Sequence, residues 1–220
     1  MKKLDIIYED KELLVINKES NLLTIGTNKN KMNTLYHEVR EYIRKKNQKV
    51  FIVNRLDRET SGIVLFAKNE VLKKQLQDNW NSITNRYYYA VVEGIPKKES
   101  DTLKNHLNES KTLQVYISND NKGKLAILNY KIIDKTNKYA LLDIEIKTGR
   151  RNQIRCQLEG IGNPIIGDKK YNSKKNPIGR LGLHAYKLIL KNPINKRTYI
   201  FESKVPKELL NIFNKKIEKN

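Results

Sequence analysis

The chain has 220 residues, 38% of them hydrophobic, enough for one large domain or two small ones with a closed apolar core. Apolar runs such as Ile63 to Ala67 fall far short of the roughly 20 residues a spanning helix needs, and Asp5, Glu9 and Asp10 interrupt any leader that Lys2 and Lys3 could open. One cysteine, Cys156, excludes an internal disulfide, three histidines form no zinc-spaced cluster, and 44 basic against 24 acidic residues, net +20, point to a polyanionic partner for a cytoplasmic, metal-free protein.

In chain order, Leu4 to Tyr8 and Leu13 to Asn17 read as a pair of strands, followed by a polar stretch through Asn30. Leu35, Val39, Tyr42 and Ile43 recur at helical spacing over 33–47, with Asn33 or Thr34 as N-cap. Phe51 to Val53 is a strand entering the polar loop 54–62, and Ile63 to Lys68 is the strand leaving it. Leu72, Leu76 and Trp80 share a helical face, and Arg86 to Glu93 is a strand on which Tyr87 and Tyr89 face opposite Tyr88, as packing residues. Residues 94–138 are assigned no element. From 139 to 147 the chain alternates: Ala140, Leu142, Ile144 and Ile146 face one way, Asp143, Glu145 and Lys147 the other. A short helix follows, with Ile154, Leu158 and Ile161 on one face and Arg151 and Arg155 sharing another. Leu183 to Leu190 and Arg197 to Ser203 are strands, and Pro206 opens a final helix with Leu210, Phe213 and Ile217 inward. No linker, repeat or low-complexity tract divides the chain. The expected fold is α+β, a mixed, largely antiparallel sheet flanked by helices, in a single domain over 1–220.

Lysine outnumbers arginine 34 to 10, yet five arginines (Arg55, Arg58, Arg150, Arg151 and Arg155) fall in two windows, 54–62 and 148–155, that contain no lysine. A guanidinium offers a planar two-point fork to carboxylate or phosphate and a face that stacks on bases. Asp57, between Arg55 and Arg58, is a carboxylate projecting from a loop between strands, suited to act as nucleophile or base without a cofactor. From composition and spacing alone it reads more readily as a turn cap or a surface ion pair. Residues 164–220 carry half of the net positive charge, with Lys169, Lys170, Lys174 and Lys175 just after the second window. Cys156 reads as a small buried thiol, His184 as a structural histidine, and His37 and His106 as surface residues.

Asn54-Arg55-Leu56-Asp57-Arg58-Glu59-Thr60-Ser61-Gly62 resembles the HRLDxxTSG motif of RluA-type pseudouridine synthases. In the same order, Arg86 to Gly94 resembles that family's K-x-Y-x-A-x-V-x-G strand, Thr148 to Arg155 its TGRxHQIR segment, and Gly162 to Asp168 and Leu183-His184-Ala185 its later steps. Ile6 to Asp10 and Leu14 to Lys18 are similar to its opening strands. The resemblance implies the pseudouridine synthase catalytic fold and an isomerase that flips a uridine from its stack, breaks the N1–C1′ bond, rotates the uracil and bonds C5 to C1′. Nothing is gained or lost, so no cofactor is implied. Carried over by position, Asp57 is the catalytic aspartate, Tyr88 stacks on the base and manages the C5 proton, Arg155 pairs with Asp57, and Arg55 fills the gap left by the flipped base. Arg58, Arg150, Arg151 and the four lysines would contact RNA, either rRNA or tRNA, and the protein would act as a monomer. Asn54 and Asn152 stand where the family has histidine, which leaves the catalytic set intact but alters its surroundings. Strands that begin by residue 4 leave no room for the S4 domain many relatives carry. The competing readings are an inactive RNA-binding or ribosome-assembly protein on this fold, and a glycosidase-like hydrolase, for which a second carboxylate is lacking.

Overall fold

The computed structural model describes residues 4–26, 32–120 and 122–213. In chain order the first half holds β1 (Ile6–Glu9), β2 (Leu13–Lys18), α1 (Leu35–Arg44), β3 (Phe51–Ile52), β4 (Ser61–Ala67), α2 (Glu70–Asp78), α3 (Trp80–Ile83), β5 (Thr84–Glu93) and β6 (Ser100–Glu109). Then come β7 (Val115–Ile117), β8 (Lys124–Lys135), β9 (Tyr139–Ile146), α4 (Gln153–Gly160), a 3-10 turn (Lys169–Tyr171), β10 (Leu183–Lys191), β11 (Thr198–Glu202) and α5 (Lys207–Leu210). This is the mixed, mostly antiparallel α+β architecture that the alternation of apolar and polar residues predicts. The chain forms two compact units, passing between them within β5, within β10 and again after β11.

The first unit comprises residues up to Arg86 together with Ala185–Ser203. Here β2 pairs antiparallel with β4 from Leu13↔Ala67 to Lys18↔Gly62, β3 pairs with the far end of β4, and β1 and β11 extend the sheet through β2 and β10. Every residue of β4 is buried, because both of its faces are covered. Ile63, Leu65 and Ala67 pack with Leu72 and Leu76 of α2 and with Leu188, Leu190 and Phe201. On the opposite face Phe66 stacks on Tyr36 of α1 at 6.5 Å between ring centroids. Thr34 caps α1, accepting from the His37 N–H, and the inward Leu35, Val39 and Ile43 follow the predicted spacing. The predicted helix through Leu72, Leu76 and Trp80 is interrupted. Asn79 leaves helical geometry at φ −107°, so Trp80 opens α3 while still packing on the same core.

The second unit comprises Tyr87–His184 and the residues from Lys204 onward. Its strands run β5-β9-β8-β6-β7, with β8 antiparallel to both β6 and β9. The core gathers Ala90, Val92, Leu128, Leu142, Ile144, Ile154, Leu158 and Leu183, with Tyr88 packed against it. Tyr89 lies with Val91 in a separate cluster, so the alternation along β5 is as predicted. Strand β6 is invisible in the sequence because only Leu103 and Leu107 among its ten residues are buried, the rest being polar. Three details of the helical reading are corrected. Ile161 caps α4 and is 39% exposed; Arg151 lies in the turn before α4 and is exposed; and Arg155, expected to share a face with it, is buried. In the single turn of α5, which follows Pro206 as its N-cap, Leu209 is buried and Leu210 is 38% exposed, so the inward leucine is Leu209 and not Leu210. Ile217, Lys2, Lys3 and the polar positions 27–30 lie outside the described residues.

Candidate active site

In the first unit the loop 53–60 joins β3 to β4, and Ser61 and Gly62, expected to end the loop, already belong to β4. Asn54 prolongs the pairing with its side chain: its Oδ1 accepts the Leu65 N–H at 2.7 Å. Beyond it the loop is fastened by residues 18–24. The Thr24 hydroxyl donates to the Leu56 carbonyl at 2.7 Å and accepts the Leu56 N–H at 3.2 Å, and Ser20 donates to the Glu59 carbonyl at 2.6 Å. Lys18, 1% exposed, sends its ammonium to the carbonyls of Glu19, Leu22 and Arg58 at 2.8, 2.8 and 3.1 Å. The backbone is thus held immediately before and immediately after Asp57, whose carbonyl also accepts the Thr60 N–H. Asp57 is half-buried, while Arg55 and Arg58 are exposed, Arg58 donating through Nε to the Asn21 carbonyl at 3.3 Å.

Lys18 is the residue that sequence reasoning passed over. Its signal was available, since it shares the inward parity of Leu14 and Ile16 on β2. An ammonium at an inward position requires acceptors, and the carbonyls of the following turn and of the Asp57 loop supply them.

In the second unit the junction 148–155 is organised by Gln153. Its Oε1 accepts from the Thr148 hydroxyl at 2.7 Å and the Arg150 N–H at 3.0 Å, and its Nε2 donates to the Ile127 carbonyl at 3.0 Å. Asn152 takes the left-handed conformation at φ 47°, which an asparagine tolerates better than most residues. Arg150 and Arg151 are exposed, Arg150 donating to the Leu125 carbonyl and Arg151 pairing with Glu109. Arg155 is 4% exposed and forks onto a carboxylate of its own unit: Nε and Nη2 donate to Oδ2 and Oδ1 of Asp168, each at 2.7 Å.

The lysine segment is tied down rather than loose. Lys169 and Lys170 form the 3-10 turn capped by Asp168, and Lys170 Nζ reaches Asn152 Oδ1 at 3.3 Å. One carboxylate oxygen of Glu93 accepts the N–H groups of Lys174 and Lys175, both at 2.7 Å, and the Ser173 hydroxyl at 2.6 Å. All four lysine side chains are exposed.

Cys156 is buried, and desolvation, followed by the nearby charge of Glu159, pushes its thiol up to about 11, so it is no thiolate at neutral pH. His184 is fully buried, as expected of a structural histidine, whereas His37 and His106 are half-buried. Among the described residues no group of three His, Cys, Asp or Glu side chains is gathered for a metal, and no helix is long and apolar enough to cross a membrane.

Residues 12–160 match the family model for RNA pseudouridylate synthase, and the class that this family match defines is that of RNA-modifying enzymes. The ribosomal large subunit pseudouridine synthase C of Rickettsia bellii (strain RML369-C) is 35% identical over 207 residues, covering 91% of this chain and 68% of that protein. An uncharacterised RNA pseudouridine synthase of Bacillus subtilis (strain 168), YhcT, is 28% identical, covering 96% of this chain and 71% of that one. In fold, human RNA pseudouridylate synthase domain containing 4 superposes with a TM-score of 0.77 at 22% identity, covering 93% of this chain and 90% of that chain. The chain belongs to the RNA pseudouridylate synthase family, in its RluA-type branch. Its activity is the isomerisation of uridine to pseudouridine in RNA.

Proposed function

We propose that this synthase modifies ribosomal RNA of the large subunit, using Asp57, Tyr88 and Arg155 as its catalytic set within one catalytic domain over 1–220. The observation that supports Asp57 most directly is the clamp on its loop: Lys18, Ser20 and Thr24 hold the backbone at Arg58, Glu59 and Leu56. A group that acts within a fraction of an ångström of its target has to be held by its supports. The choice of ribosomal RNA follows the Rickettsia relative, a ribosomal large subunit pseudouridine synthase.

In this reading a uridine leaves its stack, Arg55 fills the space, and the ring of Tyr88 receives the base. The Asp57 carboxylate acts on the nucleoside and the N1–C1′ bond breaks. The uracil then turns so that C5 bonds to C1′; C5 loses its proton, N1 gains one, and the formula is unchanged. Arg155 pairs with the catalytic carboxylate, and Arg58, Arg150, Arg151, Lys169, Lys170, Lys174 and Lys175 contact phosphates. The protein works as a monomer in the cytoplasm without a cofactor.

The test is to map pseudouridines in total RNA from a strain lacking the gene, complemented with the wild type or with Asp57→Asn. The wild type should restore one or more sites in large-subunit RNA and Asp57→Asn none, while the purified variant keeps its fold and RNA affinity. Restored sites in tRNA alone would refute the choice of RNA, and product from Asp57→Asn at near wild-type rate would refute the role of Asp57.

A further inference from the structure

We infer that Asp168 is a positioning residue for the isomerisation, setting the orientation in which Arg155 meets the reaction. The inference rests on the proposed role of Arg155 and extends it to a carboxylate with no assigned part.

Arginine has a long side chain, and its value at a reacting centre depends on which edge of the guanidinium is presented. Here that edge is determined. Asp168 is 1% exposed and takes the Nε–Nη2 edge in a two-point fork, both contacts at 2.7 Å. The guanidinium carbon also lies 5.3 Å from the centre of the Tyr171 ring, and Tyr171 is itself anchored by its hydroxyl to the Val115 carbonyl at 3.2 Å. A carboxylate along one edge and an aromatic ring beside the guanidinium carbon restrict how the group can turn. Of its five N–H donors the fork uses two, so Nη1 and the second Nη2 hydrogen are the donors through which Arg155 acts elsewhere.

A buried ion pair is a poor device for stability alone, since desolvating both charges offsets their attraction and an apolar pair of similar volume does as well. It does fix geometry. Asp168 also accepts the Tyr171 N–H at Oδ1 and, at its backbone carbonyl, the Ser173 N–H at 3.1 Å. The same residue therefore registers Arg155 against the segment that carries Lys169, Lys170, Lys174 and Lys175.

The experiment compares wild type, Asp168→Asn, Arg155→Lys and the double variant in single-turnover pseudouridine formation at saturating RNA, with rates normalised to folded enzyme and RNA Kd measured beside them. Asp168→Asn is expected to lose at least tenfold in rate with Kd within about twofold of wild type. Because Asp168 acts through Arg155, adding Asp168→Asn to Arg155→Lys should cost less than about threefold more. A wild-type rate per folded molecule in Asp168→Asn, or losses that multiply in the double variant, would overturn the inference. Should Asp168→Asn not fold, the Arg155 Nε–Hε resonance of the wild type decides. Slow exchange that persists in RNA-bound enzyme supports the held fork, and exchange as fast as that of an exposed arginine refutes it. Asp57→Asn is run alongside: activity in that variant defeats the catalytic reading itself, whereas an inactive Asp57→Asn beside a full-rate Asp168→Asn defeats only this inference.

Discussion

At the scale of single residues, the site depends on polar side chains placed where burial makes them costly unless partnered. Lys18 is the clearest, its ammonium meeting three backbone carbonyls, two in the turn after β2 and one in the Asp57 loop. Hydrogen bonds from a charged donor are worth more than neutral ones, but removing the ammonium also removes its desolvation cost. Lys18→Met should therefore destabilise the protein by about 2–3 kcal/mol, read from urea unfolding. It should lower the single-turnover rate at saturating RNA more than it lowers RNA affinity, because the loosened backbone flanks Asp57 and not the lysine segment. A variant as stable as the wild type would show that the carbonyls find other donors at no cost. The two asparagines at the family's histidine positions are legible in sequence only as departures. The structure shows what they do here: Asn54 extends the β3–β4 pairing, and Asn152 occupies a left-handed turn.

At the scale of elements, the Thr-Ser-Gly end of the first motif is a geometric requirement. Gly62 sits at φ 116°, and a Cβ there would lie 2.2 Å from the Ala185 carbonyl oxygen and 2.7 Å from that residue's nitrogen and carbonyl carbon. Those atoms are backbone of β10 and cannot swing aside as a side chain could. Gly62→Ala should thus cost on the order of 3 kcal/mol or more, from strained φ and forced separation of β4 from β10, and lower the thermal midpoint accordingly. A thermal midpoint unchanged within error would contradict this packing. The elements that the sequence located are those with apolar residues at helical spacing (α1), in alternation (β9) or in an unbroken apolar run (β2, β4). Of those it missed, β6 buries only Leu103 and Leu107 among polar residues and β7 is three residues long, whereas β8 does alternate, burying Ala126, Leu128, Tyr130 and Ile132 at a period of 2, a signal that was passed over.

At the scale of the whole molecule, the net charge of +20 accounts for attraction to a polyanion but not for its path. The anchoring of Lys174 and Lys175 by Glu93, and of Lys169 and Lys170 by the turn at Asp168, makes this segment the best candidate for binding phosphates. Changing all four lysines to serine should weaken RNA binding and flatten the plot of log affinity against log salt by about 0.7–0.9 for each phosphate that the protein no longer neutralises. The single-turnover rate at saturating RNA should fall far less than affinity, and an unaltered salt slope would place the RNA elsewhere. The sequence by itself determined the α+β class, the loop position of Asp57, the strand carrying Tyr88 and the enzyme family. Each of these is encoded locally, in residue spacing within an element or in a contiguous motif. Only the tertiary structure decided which groups hold the site residues, such as Lys18 beneath the Asp57 loop, 40 residues from the Arg58 carbonyl it reaches, and Asp168 on Arg155. A buried polar group takes its partner from whatever the fold brings beside it, and no local spacing records that choice.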